Sequence, residues 1–273
     1  MGQDGEVLPS QHHDADARSN GRLRLLTPGF NLAGHFCALG AITLAGSGAG
    51  IWLARHAQAE QVWIVPAYIL LANVVEYLVH RFLMHRPLWP RPLYRGHTLG
   101  HHRAFRHDSM PIETWREIEL VMMPWFTIAL LFTALTPVVV VVDRTLGSGA
   151  AGLLLLTAIV SFITYEGMHT LYHLPVSVLD GVGLSRNRLF QARLRHHQHH
   201  HRLARMRWVN FNISLPVCDS LLGTRETEAE WLARREECRD ARHVERASAG
   251  AEGEDRDRPS SPADRRPRRA GRR

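Results

Sequence analysis

Four long apolar segments, separated by polar ones, dominate the hydrophobic pattern of this chain. They cover residues 30–54, 62–79, 120–142 and 149–165, and Glu76 is the single formally charged residue within them. A helix that rises about 1.5 Å per residue needs roughly 20 apolar residues to cross a bilayer, and about 17 can suffice. Because the segments are apolar on all sides, without the polar stripe of a soluble helix, they predict four transmembrane helices of an integral membrane protein.

The short connection between the third and fourth segments predicts a tight hairpin with Gly147 in the turn. The second segment then ends at the first histidines and the fourth ends at a later group, so all histidine groups are expected on one side of the membrane. Arginines fill the first histidine loop: Arg81, Arg86, Arg91, Arg95, Arg103, Arg106 and Arg116. The opposite loops hold little beyond Arg55 and Arg144. An excess of arginine marks the cytoplasmic side of a membrane protein. The sequence therefore predicts an all-α fold of about four transmembrane helices, whose histidine-rich helical cap is cytoplasmic.

Both ends of the chain are polar. Residues 1–27 lack the features of a secretory signal and are expected to form a disordered cytoplasmic arm, followed by a membrane domain over residues 28–226. Residues 227–273 predict a C-terminal helix and an arginine-rich tail that has too little apolar surface to offset its ordering entropy. The closing run at 265–273 suits anionic lipid headgroups, and nucleic acid is not an expected partner because such runs are usually solvated tails.

Composition and missing motifs exclude several function classes. The net charge of +7 comes from arginine alone, since the chain has no lysine, and this excludes a lysine Schiff base. Cys37, Cys218 and Cys238 are widely spaced and form no CxxC pair, so ordinary thiols are expected rather than a zinc ribbon or a disulfide framework. The motifs of phosphate loops, dinucleotide binding and zincin proteases are absent.

Four histidine groups lie just outside the apolar segments. Residues three or four apart share one helix face. We therefore expect each of three sets to point to one target: His97 with His101, His169 with His173, and His197 with His200 and His201. Ten imidazoles exceed the four to six ligands that one ion accepts, and they therefore predict two metal ions. The candidate ligands are His80, His85, His97, His101, His102, His169, His173, His197, His200 and His201.

Some positions leave alternatives open. His80 and His85 diverge by about 140° on a continuous helix, so the helix is expected to unwind there, in keeping with Pro87 and Pro90. Glu166 could orient a ligand imidazole through Nδ1–H, bind metal directly, or face water at a helix end. Isolated histidines are expected to be solvated or hydrogen-bonded, with His107 the nearest to an exception: His35, His56, His107 and His243.

The four groups form the motifs H-x4-H at 80–85, H-x3-HH at 97–102, H-x3-H at 169–173 and H-x2-HH at 197–201. Residues 210–224 follow with an ending similar to N-F-G-x-T-x-x-x-D-x-x-F-G-T, in which Asn212 stands where glycine is common. Together these stretches resemble the fatty acid hydroxylase superfamily, the membrane di-iron group that includes sterol desaturases and sphingolipid hydroxylases. The last motif also permits the register of His196, His199 and His200, although that of His197, His200 and His201 is favoured.

The resemblance implies an enzyme that binds two irons through the ten histidines. With O2 as co-substrate, such an enzyme hydroxylates or desaturates a lipid, whether fatty acyl, sterol or related. Zinc cannot replace the iron, because it does not change oxidation state. The chain contains no fused haem domain of the cytochrome b5 type, so a separate redox partner is expected: a cytochrome b5-like protein, a ferredoxin or a reductase.

A histidine-rich divalent-metal transporter, or a metal-binding membrane protein, is the alternative. Transport sites normally place polar ligands near the bilayer midplane, and only Asn73 and Glu76 approach that description. A low-complexity metal-sequestering tract at residues 196–201 would not explain why separate pairs recur at helical spacing beside three apolar segments. The oxygenase is therefore the favoured hypothesis.

Overall fold

Four long helices form the membrane part of the protein, whose computed structural model describes residues 21–239. They are α1 at Leu32–Ala54, α2 at Val65–Leu78, α3 at Trp125–Leu146 and α4 at Ser148–Tyr172. With the short helical segments that prolong two of them, four spans are long and apolar enough to cross a membrane: Leu32–Ala54, Ala59–Met84, Trp115–Leu146 and Ser148–Tyr172. The four predicted transmembrane helices are confirmed.

Short helices occupy the two segments that follow the second and fourth spans, and the topology places both segments at the same end of the bundle. The longest, α5, covers Arg188–His200. The others are Arg91–Tyr94, His102–Ala104, Ile118–Val121, Val176–Gly181 and Val217–Leu221, with 3-10 turns at Trp115–Glu117 and Leu184–Arg186 and π-helical turns at Val79–Met84 and Arg95–His101. A further 3-10 turn, Ala59–Ile64, directly precedes α2. Between residues 21 and 239 there is no β-strand, only an isolated bridge from Arg106 to Ser109. The all-α prediction is therefore confirmed.

Glycines set the closest helix contacts. Gly147, at φ 88°, alone links α3 to α4, and its N–H donates to the Asp143 carbonyl at 3.1 Å, which gives the expected tight hairpin. On α4, a Cβ at Gly152 would lie 2.2 Å from the Ala54 nitrogen, and one at Gly149 would lie 2.4 Å from the Ala57 Cα. In a bilayer such small residues let two backbones approach and gain van der Waals contact.

The described structure extends beyond the membrane helices at both ends of the chain. The arm expected to be disordered, residues 1–27, overlaps the described region at 21–27, and there Arg22 is buried with a 3% exposed side chain. Arg22 thus packs inside the described structure rather than facing solvent. At the other end, residues 228–239 form a helix, and the Thr227 hydroxyl accepts the Glu230 N–H at 3.3 Å in a capping box. His243 and the arginine-rich tail lie outside the described residues.

We predict that Gly152→Ala destabilises the bundle. The added methyl has no space between α4 and α1, and overpacking of this kind costs about 1–3 kcal/mol. Gly48→Ala in α1 is the matched control, because no atom lies within 4 Å of its Cβ position and alanine favours a helix by up to about 1 kcal/mol. Thermal unfolding of the detergent-purified proteins measures both changes. Equal midpoints for the two variants would contradict close packing at Gly152.

Candidate metal centre

Ten buried imidazoles form two compact groups at the end of the bundle where the short helices lie, which is the predicted cap. Within each group, one ring nitrogen of every histidine lies within 4.8 Å of the corresponding nitrogen of the other four. The first group is His80, His85, His97, His102 and His200, and the second group is His101, His169, His173, His197 and His201. None of the ten residues is more than 7% exposed. The structure thus brings together all ten histidines that the sequence indicates, in two sets of five.

The division between the groups differs from the expected helix-face pairing. His97 belongs to the first group with His102, five residues later, whereas His101 belongs to the second. Residues 95–101 are π-helical, and bonds from i to i+5 place residues five apart on the same side of the helix. The prediction that His97 and His101 share a target was therefore wrong. In the last motif His197 and His201 share the second group, as their spacing predicts, whereas His200 belongs to the first, so the expected convergence of His197 with His200 was wrong.

A π-helical turn also explains how His80 and His85 meet. The helix was expected to unwind after the membrane, and this expectation was wrong, because residues 79–84 continue α2 with the wider turn. That turn brings the Nε2 atoms of His80 and His85 to 3.2 Å. Helical continuity therefore holds both rings in place without a loop.

The distances within each group fit a metal ion. In the first group, the Nε2 atoms of His80 and His97 are 2.9 Å apart, and in the second those of His197 and His201 are 3.0 Å apart. Two nitrogens at right angles around a metal, each at about 2.1 Å from it, are about 3.0 Å apart. Five imidazoles per group also lie within the four to six ligands of a transition metal.

Backbone carbonyls orient half of these rings from behind. When Nδ1–H donates to a carbonyl, the tautomer is fixed and the Nε2 lone pair is left for a metal. The Thr98 hydroxyl performs a similar role, 3.3 Å from His85 Nδ1, while it donates to the Met84 carbonyl. The carbonyl partners are Phe211 for His80, Val209 for His200, Leu120 for His101, Met110 for His173 and Phe105 for His201, at 2.6–2.9 Å for the last four.

Burial keeps the clustered imidazoles uncharged. It lowers the pKa of His173 to about 4, although the bond to the Met110 carbonyl acts in the opposite direction. Burial, followed by repulsion between neighbouring rings, lowers the pKa of seven others well below 6.5: His85, His97, His101, His102, His197, His200 and His201. Neutral imidazole is the form that binds metals, so at pH 7 an ion need not displace protons from these rings.

The segment after α5 is held by one buried carboxylate. Asp219 accepts the backbone N–H groups of Phe211 at 2.9 Å and Asn212 at 2.7 Å, the Thr224 hydroxyl at 2.7 Å and His196 Nε2 at 3.3 Å. Burial alone would raise the pKa of Asp219, but these bonds outweigh it and the pKa is lowered. Since the Phe211 carbonyl bonds His80, this carboxylate indirectly supports the first group.

Two polar residues of α2 fasten the same segment to the membrane helices. The Glu76 carboxylate accepts the N–H groups of Ile213 and Ser214 and the Ser214 hydroxyl. The Asn73 amide donates to the Leu215 carbonyl at 2.7 Å. The sequence indicated both residues as the only ones that approach the description of a midplane transport site. Their bonds are structural, and neither carboxylate nor amide is available to a transported ion while the segment is in place.

The remaining candidates lie outside both groups. Glu166 is buried at 6% exposure rather than facing water, its Oε1 accepts the Met123 N–H at 2.6 Å, and it belongs to neither histidine group. His196 contacts Asp219, and His199 Nε2 lies 2.8 Å from Glu226. The alternative register of the last motif is therefore not the one that the fold assembles into a group.

Within residues 21–239, the isolated histidines and the cysteines contribute no ligand to either group. His56 is exposed and accepts from Arg55 at 2.9 Å, and only the backbone carbonyl of His107 is engaged, by the Gln198 amide at 2.8 Å. His35 is buried in α1 and its Nε2 has no hydrogen-bond partner, contrary to expectation. All three cysteines are free thiols, as the sequence indicates: Cys37, Cys218 and Cys238.

An apolar cavity of about 540 Å³ adjoins the first group. Its walls come from α2, α3 and α4, and His80 contributes to them together with Met84 and Tyr165. Ligand pockets commonly measure about 300–1,000 Å³ and are mainly apolar, so the size suits a small or medium organic molecule. The cavity thus connects the lipid-facing helices to the imidazoles.

We predict that Asp219→Ala destabilises the cap. Four donors lose their acceptor in a buried place, and one lost hydrogen bond to a charged group already costs about 1.5–3 kcal/mol. Asp180→Ala, at an exposed carboxylate, should change the free energy of unfolding by no more than about 0.5 kcal/mol. Denaturant unfolding of both variants measures the difference. An unchanged Asp219→Ala protein would show that the segment does not depend on this carboxylate.

Comparison with known proteins gives one family. The model of the fatty acid hydroxylase family matches residues 65–224, the part of the chain that contains all ten clustered histidines. No curated protein and no solved structure matches the chain. The family match covers more than half of the 273 residues, and the protein therefore belongs to the fatty acid hydroxylase family.

Proposed function

We propose that this protein is an O2-dependent membrane oxidoreductase that uses two irons to hydroxylate or desaturate a lipid. The observation that carries the proposal is the pair of five-imidazole groups at the end of an apolar cavity between membrane helices. Family membership supports the same reaction class. A fatty acyl chain, a sterol or a related lipid is the proposed substrate, because each presents unactivated C–H bonds to the cavity.

Each five-histidine group is proposed to hold one iron through its Nε2 atoms. When bound, the two irons would pass electrons from a separate donor to O2 and would supply the oxidising power needed to oxidise a C–H bond. The imidazoles hold the ions without adding negative charge, in contrast to the carboxylate-rich sites of soluble di-iron bundles. Their burial keeps bulk water away from the ions, and the carbonyls behind the rings preserve the orientation of each ligand.

The cavity is proposed to bind the alkyl or ring part of the lipid. Leu83 and Phe162 are among its apolar walls, and His80 brings the first group to the cavity surface, so that the carbon to be oxidised lies beside the ligands. Trp89 lines the cavity while it is 80% exposed, and an indole favours the membrane interface. We place the lipid entrance there.

The centre is proposed to face the cytoplasm. Exposed arginines surround the first histidine motifs, among them Arg86, Arg91 and Arg103, and arginine is retained on the cytoplasmic side. Reduction of O2 requires electrons that amino-acid side chains do not supply, so a separate donor is part of the proposal. A cytochrome b5-like protein, a ferredoxin or a reductase would serve.

We predict that His169→Ala abolishes product formation and lowers the iron content below the wild-type level of about two per chain. The substitution removes one of five ligands from the second group, and metal sites lose affinity steeply when their donor set is incomplete. Elemental analysis gives the iron content, and mass spectrometry of cellular lipids gives the product. One added oxygen identifies hydroxylation, and loss of two hydrogens identifies desaturation.

His107→Ala is the matched control for this experiment. It removes a nearby imidazole that belongs to neither group, and the backbone carbonyl that Gln198 contacts remains. Iron content and product should equal those of the wild type. Full activity of iron-free protein would refute the proposed function.

Filling the cavity should separate substrate binding from iron binding. Ala158 lines the cavity on α4, so we predict that Ala158→Phe lowers the turnover of lipid by about 100-fold through displacement of the reacting carbon, with the iron content unchanged. Val160→Phe adds a ring two residues away on the 61% exposed, lipid-facing side, and should retain activity. Product formation per iron is the measurement. Equal activity of the two variants would exclude this cavity as the substrate site.

A further inference from the structure

A single arginine near the start of the described region binds the cap at four points. The Arg22 guanidinium donates through Nε to the Ala104 carbonyl at 2.9 Å and through Nη2 to the Ser109 carbonyl at 2.6 Å. Its Nη1 donates to the Pro111 carbonyl at 2.9 Å and to Glu117 Oε2 at 3.0 Å. The side chain is only 3% exposed, and Glu117 is fully buried. One planar cation thus ties together the segment from residue 104 to residue 117.

That segment supplies the acceptors for the second histidine group. The Phe105 carbonyl lies next to the one bound by Arg22 and accepts His201 Nδ1 at 2.6 Å. The Met110 carbonyl lies between two others that Arg22 binds and accepts His173 Nδ1 at 2.8 Å. The guanidinium also lies over the Phe105 ring, 4.8 Å from its centroid. Two of the five rings are therefore oriented by carbonyls whose immediate neighbours Arg22 holds.

Three rings of the first group depend on different supports. His80 and His200 donate to the carbonyls of Phe211 and Val209, and the Thr98 hydroxyl contacts His85. None of the four hydrogen bonds that Arg22 makes with the described residues reaches any of these groups. A substitution of Arg22 should therefore alter the metal affinity of the second group and leave that of the first group unchanged.

We propose that Arg22 is a positioning residue for the second metal site: it fixes the 104–111 segment, whose carbonyls set the orientation of His173 and His201. The inference rests on the proposed di-iron function. It assigns a role to a residue that lies outside the family match at 65–224 and within the stretch that the sequence indicates as a disordered arm. Loss of such supporting bonds typically weakens a metal site by about 10–100-fold.

The test is a titration of the metal-free full-length protein with Fe²⁺ in the absence of O2, against a competing chelator. Wild-type protein should show two tight sites. Arg22→Gln should weaken one site by about 10–100-fold and leave the affinity of the other unchanged. Arg24→Gln is the matched control, since Arg24 is exposed two residues away, and both of its sites should stay tight.

Arg22→Gln leaves Glu117 buried without its cation, and misfolding of that variant would obscure the result. Arg22→Lys is therefore the second variant in the test. Lysine keeps a positive charge beside Glu117 but cannot reproduce the planar fork that reaches four acceptors. It should fold and still weaken the same single site. The retained first site then reports that the remainder of the cap is intact.

Three results would overturn the inference. Two tight sites in both Arg22 variants would show that the arginine does not position the ligands. Equal weakening of both sites in Arg22→Lys would assign it a general structural role. Fewer than two tight sites in the wild-type protein would refute the proposed di-iron function itself, and with it this inference, a result distinguishable from the other two.

Discussion

The centre depends on hydrogen bonds that approach the imidazoles from outside. Ten uncharged rings with Nε2 atoms about 3 Å apart have no mutual arrangement that satisfies all their polar atoms, and an unsatisfied buried polar group is costly. Carbonyls at Phe211, Val209, Leu120, Met110 and Phe105 give five rings a fixed partner for Nδ1–H. These bonds therefore fix the five rings with their Nε2 atoms free for a metal ion, although the rings carry no charge.

Four of those carbonyls belong to two backbone segments with separate anchors, and the Leu120 carbonyl lies on the short helix Ile118–Val121. One segment follows α5 and is fixed by Asp219 from within and by Asn73 and Glu76 from α2. The other follows the second histidine motif and is fixed by Arg22. Since α2 carries both the anchors of the first segment and His80 at its end, the membrane helix and the cap cannot shift independently.

Much of this arrangement could be predicted from the sequence. The four spans follow from the length of the apolar segments, and the ten clustered histidines follow from their recurrence beside those spans. The division into groups could not be predicted, because the α-helical period assigns His97 and His101 to one target, whereas a π-helical turn separates them. Glu166 was equally undetermined, since spacing along α4 does not reveal that the Met123 N–H lies within reach.

The anchors had weaker signals still. Asp219 and Asn212 stand in a recognisable motif, yet only the fold shows that the carboxylate gathers backbone N–H groups around the carbonyl bound to His80. Arg22 had no signal, because an arginine in a polar stretch is usually solvated.

The π-helical turns also bear on how histidine spacings should be interpreted in other membrane chains. An interval of five residues beside an apolar segment, as between His80 and His85, suggests a break in the helix, yet here the same interval marks a helix that continues with a widened turn. The wider turn takes up the one residue by which this interval exceeds the α-helical spacing of four, and no loop is needed. Such an interval is therefore also compatible with an unbroken helix that brings two imidazoles into one cluster at the end of a membrane span.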